Sequence, residues 1–314
     1  MIHKRYNSRT PISLNMSLRF NKDGTSLKEV PPYILQCSHP ISSDSILPFA
    51  SYHSNDMRNY KQACAYMFEH LWKRDFTWKD IEEVHKILVK GTSRNDEQNG
   101  PFRTSQIAIV LKVDSTELPQ FIRKVFTDED VKIWTDFQKK MHELSKDYPN
   151  GMLEELYKRR QISEQEWAVW RKLGFIPPLP DKLPEALRVF KEQLTTKQAE
   201  LHGTTPADQD MVFAVAAWIH QQLTHLHAYM YGNGRLARLF MNLVLMKHGY
   251  LPIECNPEEV YMEYCAKADS KLDEFIEFIR VQEEVILKVR TEVNPTTGEH
   301  VLKPAPEGPE CVFM

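Results

Sequence analysis

The sequence predicts a mainly α-helical protein. Apolar residues recur at helical spacing through most of the chain beyond residue 55, and capping residues and glycines punctuate those stretches. Only one segment, 102–112, carries a clear strand signal.

The elements follow in order. Residues 1–55 are polar and irregular, with Pro31, Pro32, Pro40 and Pro48, and read as an arm over the main domain. Thr77 and Asp80 then have capping-box spacing; Ile81, Val84 and Leu88 form a stripe, and Gly91 stops the helix. The run SQIAIVLK within 102–112 is the strand. Residues of about 113–173 read as a helical insert, because Trp134, Phe137, Met141 and Leu144 recur at helical spacing. Its second helix starts at Ser163, with Glu166 as box partner and Trp167 and Trp170 on one face. Two readings stand for this insert: a small satellite core, or an element that selects a protein substrate. Thr205, Pro206 and Asp208 begin a helix whose buried face is Val212, Val215, Ile219, Leu223 and Leu226. The next helix, Leu236–Lys247, is apolar nearly all round and so belongs at the centre; Gly249 ends it.

Composition bounds the function. The chain has 314 residues, 42% of them apolar and 26% charged, the balance of a globular protein with ample core. Its 40 basic and 43 acidic side chains leave a net charge of −3, so bulk electrostatics does not predict a nucleic-acid partner. The start, MIHKRYNSRT, lacks the apolar run of a secretory signal, and no segment has the apolar length of a membrane span. The cysteines Cys37, Cys64, Cys255, Cys265 and Cys311 fit neither metal-ligand nor disulfide spacing, which suits a reducing compartment.

The chemistry is concentrated in His227–Arg238, HAYMYGNGRLAR. A Gly-rich turn feeding a helix is an anion cradle, since free N–H groups and the helix dipole face the ligand. Gly232, Asn233 and Gly234 form that turn; Arg235 and Arg238 share a helix face and can grip phosphate oxygens. His227 stands beside the bound phosphate as base or nucleophile. Singly, each residue has a plainer reading: a packed histidine, turn glycines, solvated arginines. His85, His220 and His225 read as packing or hydrogen-bonding residues, with no third metal ligand spaced to join them.

This motif resembles the signature of the Fic (Fido) family, His-Pro-Phe-x-Asp/Glu-Gly-Asn-Gly/Lys-Arg-x-x-Arg. His227, Gly232, Asn233, Gly234, Arg235 and Arg238 match; Tyr229 stands at the Phe position, Ala228 at the Pro, and Tyr231 at the acidic residue. Residues 81–91, 100–109, 216–227 and 248–279 resemble, in order, the helix and flap before the motif, the helix into it and the closing helices. The resemblance implies a Fic-type helical bundle over about 56–290, with a small β-hairpin flap that holds a target protein by strand addition, the helical insert lying in that flap. It implies transfer of AMP from ATP to a target hydroxyl, with His227 as base, the 232–234 turn on phosphate, and Arg235 and Arg238 on the β- and γ-phosphates. The family's Mg²⁺ ligand is the acid that Tyr231 replaces, and a phenol is a poor ligand for a hard cation. Three readings follow: metal recruited through nucleotide and water, another phosphate-linked donor such as a choline diphosphate, or an inactive scaffold that only binds.

Residues 291–314 read as a flexible tail, with VLKPAPEGPE preceding Cys311-Val312-Phe313-Met314. That ending has the form of a prenylation box, and a terminal Met predicts farnesyl on Cys311. The alternative is an unmodified tail. A single lipid gives weak, reversible attachment, and the modifying enzymes place the protein in eukaryotic cytosol, as a host protein or a delivered bacterial effector.

Overall fold

The computed structural model describes residues 54–91, 102–104, 109–110, 126–147, 160–172, 174–203, 209–253, 255, 261, 264, 272–293 and 300–302. The expectations for the N-terminal arm, for the Thr205 cap and for Cys311 lie outside them.

The described residues are mainly helical. In chain order they form α1 (Ser54–His70), α2 (Trp78–Val89), β1 (Ile109–Val110), α3 (Asp128–Asp147), α4 (Glu164–Arg171) and β2 (Gly174–Phe175). Then come α5 (Leu183–Glu200), α6 (Gln209–Leu226), α7 (Asn233–Lys247), α8 (Leu272–Arg290), β3 (Thr291–Val293) and β4 (His300–Leu302).

The centre is α7. Every residue from Leu236 to Met246 is buried, as an all-round apolar helix requires. Helix α6 packs along α7, α8 and α5 pack on α6, and α2 reaches α7 from the side shared with α1. Large aromatic rings fill the joints: Phe76 lies 4.8 Å from Phe240, and Trp78 meets Phe190 edge-on at 5.8 Å. Both ends of α7 are fixed by backbone chemistry. Gly232 adopts φ 86° at the N-cap, and Gly249 adopts φ 85° beyond the last turn. There Gly249 N–H donates to Met246 at 3.1 Å and Tyr250 N–H to Leu245 at 3.0 Å, a Schellman closure.

Helix α2 starts as its spacing predicts: the Asp80 carboxylate accepts from Thr77 N–H at 2.7 Å and from the Thr77 hydroxyl at 2.9 Å. Arg74 forks onto the same carboxylate at 2.6 and 2.9 Å. This fastening matters for the site, because α2 supplies one wall of it.

The strand expected across 102–112 appears as β1, paired antiparallel with β2 in the register Ile109–Phe175 and Val110–Gly174. The two arms are contiguous in space and separated in sequence by the insert. Within the insert, α3 packs on α4, and Trp134, Phe137, Ile162, Val169 and Trp170 are buried apart from the main core. The capping box expected at α4 is present, with Ser163 N–H on Glu166 at 2.7 Å and Glu166 N–H on Ser163 Oγ at 3.2 Å. Thr127 and Asp130 cap α3 in the same way, and Lys172 ties Asp130 to the end of α4 at 2.8 Å. The described part of the insert is thus a satellite core stapled across its own helices.

One expectation needs correction. The tail expected to be flexible from 291 carries an antiparallel pair, β3 with β4, in the register Thr291–Leu302, Glu292–Val301 and Val293–His300. The signal was present: β-branched residues flank the Pro- and Gly-containing NPTTG, a hairpin pattern outweighed by the proline-rich run after it.

Candidate active site

The loop 227–232 joins two largely buried helices, α6 and α7, and its conformation follows from how its polar groups are paired. His227 has φ 39°, a left-handed conformation unusual for a residue with a side chain. Its N–H still donates to Leu223 at 3.3 Å, the last bond of α6. Its carbonyl accepts from Arg103 Nε at 2.8 Å, while Arg103 N–H donates to Ala228 at 2.9 Å. Arg103 Nη2 donates to the Pro178 carbonyl, just beyond β2. One buried arginine therefore ties the segment before β1, the stretch after β2 and the 227–232 loop together.

The far side of the loop is closed by Asn233. Its amide oxygen accepts from Tyr229 N–H at 3.1 Å and its amide nitrogen donates to the Tyr229 carbonyl at 2.7 Å. The Asn233 side chain is thus spent on the loop; what this turn offers an anion is backbone N–H. The first-turn amides of α7 have no carbonyl within the helix to bond. His85 of α2 fixes the rest. Its Nε2–H donates to the Tyr231 carbonyl at 2.8 Å, and its ring stacks on Tyr229 with centroids 3.5 Å apart. A Cβ on Gly232 would meet Val89 Cγ1 at 3.3 Å, so α2 also limits what residue can stand at the turn.

His227 is half-buried, and its imidazole pKa is pushed down to about 4, chiefly by burial and in lesser part by the Arg103 charge. It is neutral at cellular pH. Its Nδ1 lies 3.3 Å from the Thr224 carbonyl, which can only accept, so Nδ1 carries the proton and Nε2 keeps the lone pair. Arg235 and Arg238 are buried, 6% and 8% exposed. Arg235 lies under the Tyr231 ring, 4.7 Å from guanidinium carbon to centroid. Arg238 donates through Nη1 to the Tyr261 hydroxyl at 3.0 Å, and that hydroxyl also meets His220 Nε2 at 2.9 Å. His220 is itself pushed down to about 3 by burial first, and so is neutral.

The structure thus places His227, the 232–234 turn, Arg235 and Arg238 on one loop and the opening turns of one helix. Three further residues act on this site from elsewhere: Arg103, His85 and Tyr261. No local pattern marks them, because each works through a partner more than 20 residues away. Only Arg103 carried a hint, as the arginine inside the stretch that resembles a flap.

A helical bundle with a two-armed flap and a histidine-glycine-arginine loop defines a class, and the comparisons agree with it. The model of the Fic/DOC family matches residues 75–245, more than half of the chain. The chain belongs to the Fic/DOC family. A protein of Aedes aegypti named protein adenylyltransferase Fic is 34% identical over 109 residues, 34% of this chain and 20% of that protein. One of the same name from Nematostella vectensis is 34% identical over 108 residues, 33% of this chain and 23% of the relative. The matched stretch is thus about a fifth of those relatives' length. A Fic-domain-containing signalling protein of Bacteroides thetaiotaomicron aligns with a TM-score of 0.47 and 12% identity, over 80% of this chain and 82% of that one.

The Mg²⁺ that the resemblance implies finds no fitting ligand among the described residues of this loop. Tyr231 lies over Arg235, a cation, and the amide oxygen of Asn233 is bound to Tyr229. Among the described residues no group of three or more His, Cys, Asp or Glu side chains could hold a metal ion. Nor, among them, is any helix long and apolar enough to cross a membrane.

Proposed function

We propose that the chain transfers AMP from ATP to a hydroxyl side chain of a target protein. The observation that carries this is His227: a neutral, half-buried imidazole with its Nε2 lone pair unprotonated, at the mouth of a loop opening into α7. Nε2 takes the proton of the target hydroxyl, and the hydroxyl oxygen bonds to the α-phosphorus. The bond from that phosphorus to the bridging oxygen breaks, and pyrophosphate leaves with the electron pair. The first-turn amides of α7 with Arg235 and Arg238 hold the departing phosphates. Neutrality has a cost in basicity, which the donor itself offsets, because phosphate charge beside the imidazole raises its pKa.

The names of the relatives support this reading at the level of the family. Tyr231 favours a second reading, in which the transferred group is another phosphate-linked one such as phosphocholine. Intact-protein and peptide mass spectrometry separates them: the chain is offered ATP or CDP-choline with eukaryotic cytosol, and His227→Ala is the control. A His227-dependent adduct of AMP mass supports the first reading, and one of phosphocholine mass the second. The absence of any adduct with either donor overturns both in favour of a scaffold that only binds.

The target docks on the β1–β2 arms, and the insert between them selects it. Replacing residues 115–172 by a short turn abolishes target modification and leaves ATP binding intact on this reading; loss of both makes the insert structural. Farnesyl on Cys311 holds the protein at a membrane in eukaryotic cytosol. Expression in eukaryotic cells adds the mass of one isoprenoid on this reading, and an unshifted mass refutes it.

A further inference from the structure

Backbone amides hold an anion when they converge, and a left-handed residue followed by a helical one makes such a nest. Gly232, at φ 86° and ψ −4°, is followed by Asn233, the first residue of α7. The N–H groups of Gly232, Asn233 and Gly234 therefore line one concavity. Arg238 borders it, with Nη1 3.5 Å from where a Cβ on Gly234 would stand. Two peptide planes set the conformation of Gly232. The one after it is held by α7 itself, where the Gly232 carbonyl accepts from Leu236 N–H at 2.9 Å. The one before it is held from α2, where His85 Nε2 lies 2.8 Å from the Tyr231 carbonyl. A carbonyl can only accept, so Nε2 carries the imidazole proton and donates. In a trans peptide the C=O and the N–H that follows it point opposite ways. With the Tyr231 carbonyl turned to α2, the Gly232 N–H is turned away from it and joins the other amides of the nest.

We infer that His85 is a positioning residue for the phosphate site, holding the Tyr231–Gly232 peptide so that Gly232 N–H meets a phosphate oxygen of the donor. The inference rests on the reading of the loop as a phosphate site, and is independent of which group is transferred. Packing is the plainer role for this histidine. Its ring lies flat on Tyr229 with centroids 3.5 Å apart, and Trp78, two turns earlier on α2, runs parallel to the same ring at 6.3 Å. The two roles make different demands on a replacement. Packing asks for a flat ring; positioning asks for an N–H at the end of a side chain of this reach. Glutamine has the second without the first, and methionine has similar reach with neither.

The test is isothermal calorimetry of inorganic pyrophosphate on the full chain, on His85→Gln and on His85→Met, with urea unfolding to show that each variant folds. His85→Gln is expected to bind within about threefold of the parent, and His85→Met roughly five- to a hundredfold more weakly. Equal affinity of the two variants overturns the inference, and so does a weakening of about tenfold or more in His85→Gln. A second readout needs no variant. Of the 11 glycines only Gly232 follows a tyrosine, so a chain labelled with carbonyl-¹³C tyrosine and ¹⁵N glycine gives a single carbonyl-correlated amide signal, that of Gly232. Pyrophosphate is expected to move its proton downfield. A signal that stays in place while pyrophosphate binds overturns the inference, whatever the variants do. A parent that binds no pyrophosphate overturns the phosphate site itself and the inference with it. Binding that depends on His85 without AMP transfer overturns the proposed reaction and leaves this inference standing.

Discussion

Arg103 offers the sharpest test of how the loop is held. Replacing it with Met keeps the length and apolar stem of the side chain and removes the guanidinium donors, including those to His227 and Pro178. The carbonyls of His227 and Pro178 then lose their charged partner. A buried carbonyl left without a donor costs about 1–3 kcal/mol, so the pair costs about 2–6 kcal/mol. Removing a guanidinium that burial itself disfavours offsets part of that loss, leaving a net destabilisation of about 2–4 kcal/mol. The left-handed backbone of His227, worth about 1–2 kcal/mol of strain, loses the bond that holds it and relaxes. Two assays read the outcome. Urea unfolding followed by far-UV circular dichroism gives the stability. NMR titration of the His227 imidazole, assigned with His227→Ala, gives its midpoint. That midpoint is expected to rise from about 4, though only part of the way to 6.5, because burial is the larger cause of the shift and the Arg103 charge the smaller. Arg103→Lys keeps the charge without the fork, and so retains the low midpoint while losing stability. Stability within about 0.5 kcal/mol of the parent and an unmoved midpoint in Arg103→Met would refute the reasoning.

Other perturbations follow from the same geometry. Asn233→Ala strands the N–H and carbonyl of Tyr229 and is expected to lower the unfolding free energy by about 2–4 kcal/mol in urea, with α7 otherwise intact. Gly232→Ala places a Cβ 3.3 Å from Val89 Cγ1 on a residue at φ 86°; a loss of about 1–3 kcal/mol in thermal unfolding is expected, and a neutral effect counts against the fixed turn. Burial depresses His85, His220 and His227 to about 4, 3 and 4. As pH falls from 6.5 towards 4, the unfolded chain therefore binds protons that the folded one does not. Stability present above pH 6.5 is lost across that window, with a slope of up to about 4 kcal/mol per pH unit for three protons. A urea midpoint that stays flat from pH 7 to 5 contradicts this.

Local chemistry in the sequence determined a good deal. The all-round apolar run that became α7, the buried stripe of α6, the caps of α2 and α4 and the glycine endings all follow from neighbours within a few residues of each other. The loop between α6 and α7 was legible too, because glycines, a histidine and two arginines in that order leave few alternatives. The β3–β4 pair was legible in principle and lost to a stronger compositional signal beside it. Tertiary structure alone decided what each loop residue does. Asn233, a phosphate candidate by its place in the turn, closes the loop on Tyr229; His85, a packing residue by its place on α2, anchors Tyr231. Arg103 reaches His227 across 124 residues, and Tyr261 reaches Arg238 across 23. Periodicity and caps are set by bonds along the chain, so sequence spacing encodes them. The pairing of a buried polar group depends on which partner the packed core brings within about 3 Å, and no spacing in the sequence carries that distance.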